Sequence, residues 1–292
     1  MTNRKIILCA FSSPNLIRSA KRLKKQAIDM KCYDEINIIS INDLDSYGQE
    51  YIKNILKKGK KKGYGYWFWK PYMIKHYLDL MNDNDVLHYC DMGCHLRMTE
   101  NKRFKEYINI LESNGKGILA FQYKEILNLN LKNLTFPLRE EFKFTKSDLF
   151  EYFKVIKNRE VTHTPQFWAG NIFLKKNNFT DKFVQNWLDV FKNRFDLIDD
   201  TESKIENFPK FIENRHDQSV FSILCKLNKI KSISAYECDW AILNGQRTWN
   251  HAENNPILAK RDLKYGIFER FISRQRKNIK RKINYFKSLK KS

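Results

Sequence analysis

The sequence predicts an α/β fold built on a mostly parallel sheet. Three observations carry this. Ile6–Phe11, Ile36–Ser40, Val86–Cys90 and Gly117–Phe121 form apolar-rich runs of five or six residues. Stretches of helical period separate them. The first run is unbroken, as expected of a strand covered on both faces. Strands alternating with helices from the first residues give a parallel sheet, and ligands of such sheets sit beyond the carboxyl ends of the strands. Three places are singled out: Phe11-Ser12-Ser13, Asp91-Met92-Gly93, and the chain after Phe121.

The elements follow in order. Ser13-Pro14 joins an N-cap residue to proline at the first helical position, so a helix runs to about Met30. After the Ile36–Ser40 strand, a helix is expected over Gln49–Lys58. Gly59-Lys60-Lys61-Lys62-Gly63-Tyr64-Gly65 reads as a flexible basic loop. Pro71–Met81 is the next helix, and Val86–Cys90 the next strand. Thr145 with Asp148 three residues on resembles a capping box opening a helix to Ile156. Phe167–Leu174 is a strand. Thr180–Phe191 and Asp217–Leu227 carry apolar residues at helical spacing. No internal repeat is found. Residues 1–256 are expected to form one domain of Rossmann type. Residues 257–292 form a basic amphipathic helical tail, with Ile267, Phe271, Ile279, Ile283 and Phe286 in a helical stripe.

Composition bounds the function. A chain of 292 residues, 42% hydrophobic, buries a sizeable core. The net charge of +21 raises nucleic acid or an anionic membrane as partners. About half of that excess lies in residues 257–292, which hold 13 Lys or Arg against 2 acidic residues. The six cysteines show no zinc-knuckle spacing, and reduced thiols in a cytoplasmic protein are expected. The apolar run after Arg4-Lys5 is too short for a signal peptide, and no run approaches 18 apolar residues.

Four segments carry candidate chemistry. Asp91 follows a buried strand and precedes a glycine; a carboxylate there can hold a divalent metal bridging a diphosphate, or simply turn the chain. In Gly63-Tyr64-Gly65-Tyr66-Trp67-Phe68-Trp69-Lys70-Pro71, Lys70 lies near a helix start and can meet a phosphate; the alternative is a hydrophobic plug with a solvated lysine. Gln166-Phe167-Trp168-Ala169-Gly170-Asn171 suits a strand edge against which a sugar ring packs, or a bulge. Arg215-His216-Asp217-Gln218 places a carboxylate and a carboxamide at a helix mouth, where they orient sugar hydroxyls; alternatively Asp217 is only an N-cap. His251 is a candidate metal ligand or a solvated loop histidine.

Taken in order, these segments resemble bacterial capsule and lipopolysaccharide sugar transferases. Those are related in pattern to the retaining galactosyltransferase and glycogenin-like family with the GT-A fold. The resemblance spans roughly residues 5–251. It implies a GT-A-like domain that moves a hexose from a nucleotide-diphosphate sugar, a UDP-sugar above all, to a hydroxyl of a surface glycan. It implies Asp217 and Gln218 as the catalytic pair at the donor sugar. Phe11, Ser12, Trp69, Lys70, Asp91, Met92, Gly93, Gln166, Ala169, Gly170 and Asn171 would line the donor site. Asp91 and His251 would bind manganese or magnesium, although Gly93 stands where the family's second metal-binding aspartate lies. The acceptor would be lipid-linked or an oligosaccharide. The enzyme would be cytoplasmic and peripheral on the inner membrane face, held by its basic tail, with no nucleic-acid partner. Two alternatives stay open: a basic nucleic-acid-binding protein, and a degenerate sugar-nucleotide-binding protein without turnover.

Overall fold

In a computed structural model, residues 4–98, 101–126 and 133–260 are described, with the single positions 272 and 275. The tail thus lies almost wholly outside the described residues. The strands are β1 (Ile6–Phe11), β2 (Glu35–Ile39), β3 (Val86–Cys90), β4 (His95–Leu96), β5 (Ile118–Gln122), β6 (Leu134–Thr135), β7 (Phe167–Lys175), β8 (Ser232–Ser234), β9 (Ala241–Leu243), β10 (Gln246–Thr248) and β11 (Ile257–Leu258). The helices are α1 (Ile17–Met30), α2 (Ser46–Lys57), α3 (Gly63–Tyr66), α4 (Trp69–Leu80), α5 (Asn101–Glu112), α6 (Glu141–Phe144), α7 (Ser147–Tyr152), α8 (Arg159–Thr162), α9 (Asn178–Asn193) and α10 (Asp217–Leu227).

The central sheet runs β2-β1-β3-β7-β5-β8. The β1–β2, β1–β3 and β5–β8 pairs are parallel, and β7 alone is antiparallel to its neighbours. The expected α/β class with a mostly parallel sheet is therefore present. Alternation along the strands explains the layers. Ile7, Cys9 and Phe11 of β1 join Leu87 and Tyr89 of β3 in a core shared with α2, α4, α9 and α10. Leu8, Ala10, Val86 and Cys90 face the opposite core, with α1 and α5. A smaller sheet, β10-β9-β6, and a β11–β4 pair stand apart from the main one.

Strand β7 departs from regular pairing. It matches β3 without interruption, Val86 facing Lys175 and Cys90 facing Asn171. Against β5 the register slips between Leu119/Phe173 and Phe121/Trp168. The extra residues fall at Ala169–Ile172, so the parity of β7 inverts there. Phe167 and Ala169 share one core with Ile172 and Leu174.

Three local expectations are corrected. Thr145 and Asp148 form no capping box. The Thr145 hydroxyl donates to Glu141 Oε1 at 2.7 Å, and Asp148 accepts from the backbone N–H groups of Lys204 and Ile205. The helix accordingly spans only Ser147–Tyr152, with Lys146 as its N-cap. Asp217 is no N-cap either: that position belongs to His216, and Asp217 is the first helical residue. The basic loop after Gly59 is pinned by ion pairs, Lys60 to Asp199 at 2.6 Å and Lys62 to Asp200 at 2.9 Å. Among the described residues no helix is long and apolar enough to cross a membrane, and all six cysteines are free.

Candidate functional site

The carboxyl ends of β1 and β3, the amino end of the reversed β7 and the start of α10 converge. Lys70 stands at the convergence. It lies in the first turn of α4, a helix that starts before Pro71 because proline's missing N–H costs nothing in a first turn. Its side chain is 3% exposed, and its Nζ lies 2.5 Å from Asp217 Oδ2 and 3.4 Å from Asp91 Oδ1. Nζ also donates to the Ala169 carbonyl at 3.1 Å, a group near the β7 register slip. An ammonium has three hydrogens, and three acceptors surround this one. Lys70 therefore links two carboxylates.

Burial pulls the Lys70 ammonium down, but Asp217 and Asp91 together outweigh it and leave its pKa raised. Asp217 is pushed up to about 6: burial dominates, Lys70 opposes, and the neighbouring Asp91 charge adds to the rise. Both partners move upward, which is unexpected for a simple ion pair. Two carboxylates compete for one cation, so the more buried of them stays undercompensated.

Asp91 is more open, its side chain 36% exposed. Tyr89, otherwise buried, donates its hydroxyl to Asp91 Oδ1. The Asp91 N–H donates to the Gly170 carbonyl at 2.9 Å. A side chain at Gly170 would place its Cβ 2.7 Å from Asp91 Oδ2 and 2.3 Å from the Trp168 indole nitrogen. Glycine thus keeps Oδ2 clear, and this oxygen accepts no hydrogen bond from a described residue. Met92 is packed into the α1–α5 core, where Arg22 holds its carbonyl and that of Cys94 at 2.7 and 2.8 Å.

The other sequence-derived candidates separate into two groups. Phe11 stacks on Trp69, with centroids 4.4 Å apart, and the Trp69 indole donates to the Gly63 carbonyl at 3.0 Å. Ser12, 9% exposed, continues from β1 and donates its N–H to Ile39. Gln218 and Gln166 are bonded to each other at 2.6 Å. Asn171 instead turns to the opposite face. It accepts from His88 and donates toward Cys238 Sγ. His88, pulled down to about 4 by burial, is a neutral core histidine sandwiched by Tyr33 and Phe173. His251 directs Nε2 at the carbonyls of Tyr236 and Asp239. Among the described residues no group of three or more His, Cys, Asp or Glu could hold a metal by itself.

Sequence reasoning missed the backbone around these groups. Gly63, Tyr64, Gly65, Tyr66 and Trp67 all have positive φ, one left-handed turn in which three residues carry large rings. His216 has φ 54° and ψ −117°. Its ring stacks on Trp67 at 5.4 Å and meets the edge of Tyr66, whose hydroxyl holds Asp200 at 2.7 Å. Residues held in such sparsely populated regions cluster at functional sites. Here they closely precede Lys70 and Asp217 in the chain. The Gly-Tyr-Gly-Tyr spacing was the available signal, since glycine favours this region.

No family model and no curated protein matches the sequence. Among solved structures, the apo form of the glycosyltransferase GlyE from Streptococcus pneumoniae TIGR4 is similar at 11% identity and a TM-score of 0.36. That match covers 80% of this chain and 46% of GlyE, so this chain spans about half of GlyE's length. A second structure of GlyE matches at 12% identity and a TM-score of 0.34. The apo form of mouse xyloside xylosyltransferase 1 matches at 10% identity and a TM-score of 0.38, covering 81% of this chain and 86% of the mouse one.

Proposed function

We propose that this protein is a glycosyltransferase that moves a hexose from a nucleotide-diphosphate sugar, a UDP-sugar, to a hydroxyl of a bacterial surface glycan of the capsule or lipopolysaccharide type. The observation that carries the reading is the Asp91–Lys70–Asp217 group beyond the carboxyl ends of β1 and β3. Two carboxylates and one ammonium leave a net negative charge. That charge suits the positive charge that develops at an anomeric carbon as the diphosphate leaves. Asp217 lies deepest and acts on that carbon, with Gln218 beside it on the sugar hydroxyls. Phe11 and Trp69 stack on each other within the core, and Ala169 and Gly170 would let the ligand approach the backbone.

A divalent cation fits this site on one condition. Magnesium commonly takes one or two carboxylates together with substrate phosphates. Asp91 supplies one such carboxylate, and the missing Cβ at Gly170 leaves its Oδ2 clear. His251 and Gly93 add nothing to it. Manganese or magnesium bound by Asp91 would neutralise the diphosphate.

The test is a calorimetric titration of UDP with and without magnesium. Wild type should bind saturably, at least ~10-fold tighter with the metal, about 1.4 kcal/mol. Asp91→Ala should lose that gain. Equal UDP affinity in the two proteins sinks the site assignment. Binding of nucleic acid whose affinity collapses with salt, without UDP binding, would favour the nucleic-acid reading instead.

The acceptor would be lipid-linked or an oligosaccharide, and the tail would supply membrane contact. Arg274, Arg276, Lys277, Lys280, Arg281 and Lys282 would each contribute about 1 kcal/mol near an anionic surface. Deleting residues 262–292 should release the protein from anionic vesicles in a flotation assay while UDP-sugar hydrolysis persists. A truncated protein that still floats with the vesicles refutes the membrane role.

A further inference from the structure

Behind Gln218 a row of buried polar side chains runs into the protein. Gln218 Nε2 donates to Gln166 Oε1 at 2.6 Å, and Gln166 Nε2 donates to Glu141 Oε1 at 2.9 Å. Gln166 and Glu141 are fully buried. The same Glu141 oxygen accepts the Thr145 hydroxyl at 2.7 Å. Its other oxygen takes Lys226 Nζ at 2.7 Å and the Ser222 hydroxyl. Lys226 is completed by the carbonyls of Val161 and Thr164 at 2.8 and 3.1 Å. The network is closed at its inner end.

Its polarity has one source. A carboxamide can turn either face to a neighbour, but a carboxylate paired with a lysine only accepts. Glu141 therefore compels Gln166 to turn its NH2 inward and its oxygen outward. That oxygen in turn compels Gln218 to spend an N–H on it. What remains for the site is the Gln218 carbonyl oxygen, which accepts nothing from a described residue, and the second N–H of the amide. Reversing either amide would set like groups face to face in a buried row, where an unmade bond is costly.

We infer that Glu141, acting through Gln166, is a positioning residue that orients the Gln218 amide so that its Oε1 faces the ligand. Gln218 then offers an acceptor beside its one remaining N–H, a pairing that suits a sugar hydroxyl, which both donates and accepts, better than a phosphate oxygen, which only accepts. The assignment of that ligand rests on the glycosyltransferase reading. The relay itself does not.

The relay is tested on the full ¹⁵N-labelled chain by NMR. The side-chain NH2 signals of Gln218 and Gln166 are assigned by their loss in Gln218→Met and Gln166→Met. In wild type the Gln218 NH2 proton bonded to Gln166 should exchange at least ~10-fold more slowly than those of exposed Gln246, as expected of a hydrogen-bonded amide. Glu141→Gln combined with Lys226→Met removes both charges together and leaves neither uncompensated. It should abolish the protection while the backbone amides of α10 stay protected. If that protein does not fold, Gln166→Met keeps the charge pair and should give the same loss. Gln218 protons as fast as Gln246 in wild type, or protection that survives in either variant, would overturn the relay. A binding arm runs alongside. Wild type should favour UDP-glucose over UDP, and Gln166→Met should narrow that ratio ~10-fold. A protected Gln218 without any UDP-glucose preference would leave the relay standing and overturn the sugar-transferase reading.

Discussion

Lys70→Met should be among the most damaging single changes in the protein. Removing one partner of a buried ion pair costs about 3–5 kcal/mol, because the other charge is left uncompensated. Here two carboxylates are left, with Asp217 7% exposed. Urea unfolding should show the loss directly, and Asp217 should then stay protonated at neutral pH. UDP-sugar turnover should fall below detection. Lys70→Met with Asp217→Asn should recover most of the stability and none of the turnover. If Lys70→Met unfolds at the wild-type urea concentration, Lys70 is solvated and the site is drawn wrongly.

The second large effect is on pH dependence. The Asp217 carboxyl is held at about 6, against roughly 3.9 in an unfolded chain. Between about pH 4 and pH 6 the native state holds a proton that the unfolded state has released. Stability from this group is therefore fully present below pH 4 and is lost as pH rises through 6. On the proposed sugar-transfer reading activity runs the other way, since the anomeric carbon would need the ionised form. Turnover should rise with pH, with an acid limb centred near 6, while the stability contribution falls. Asp217→Asn should flatten both trends and cut turnover by about 10²–10³-fold, the scale of one lost electrostatic stabiliser. An unchanged acid limb in Asp217→Asn assigns the titration to another group.

The α/β fold was legible because its strands are covered on both faces. Ile6–Phe11 and Val86–Cys90 stand out as strands from composition alone. Helix α10 was legible to the residue, from Asp217 to Leu227. The reversed direction of β7 was not: side-chain period does not report strand direction. The candidate site was half legible. Asp91, Lys70 and Asp217 were each picked out singly, and the structure brings them together. That Lys70 faces two carboxylates is a contact across 147 residues of chain, beyond any local pattern. Glu141 and Lys226 were missed for the same reason, being 85 residues apart and each ordinary in its own segment. The Thr145–Asp148 expectation failed because both side chains found tertiary partners.

Strand β7 has a consequence for how this chain must be made. It alone joins β2-β1-β3 to β5-β8, since β3 and β5 are not neighbours. A nascent chain that has reached residue 122 holds β2-β1-β3 with an open β3 edge and a lone β5, since β8 is still to be made. Domains generally fold as units during synthesis at ~5–20 residues per second, so Lys70 waits about 7–30 s for Asp217 to leave the ribosome. A stop codon anywhere before β7 leaves a fragment with unmatched strand edges, a target for proteolysis and aggregation rather than a smaller working protein.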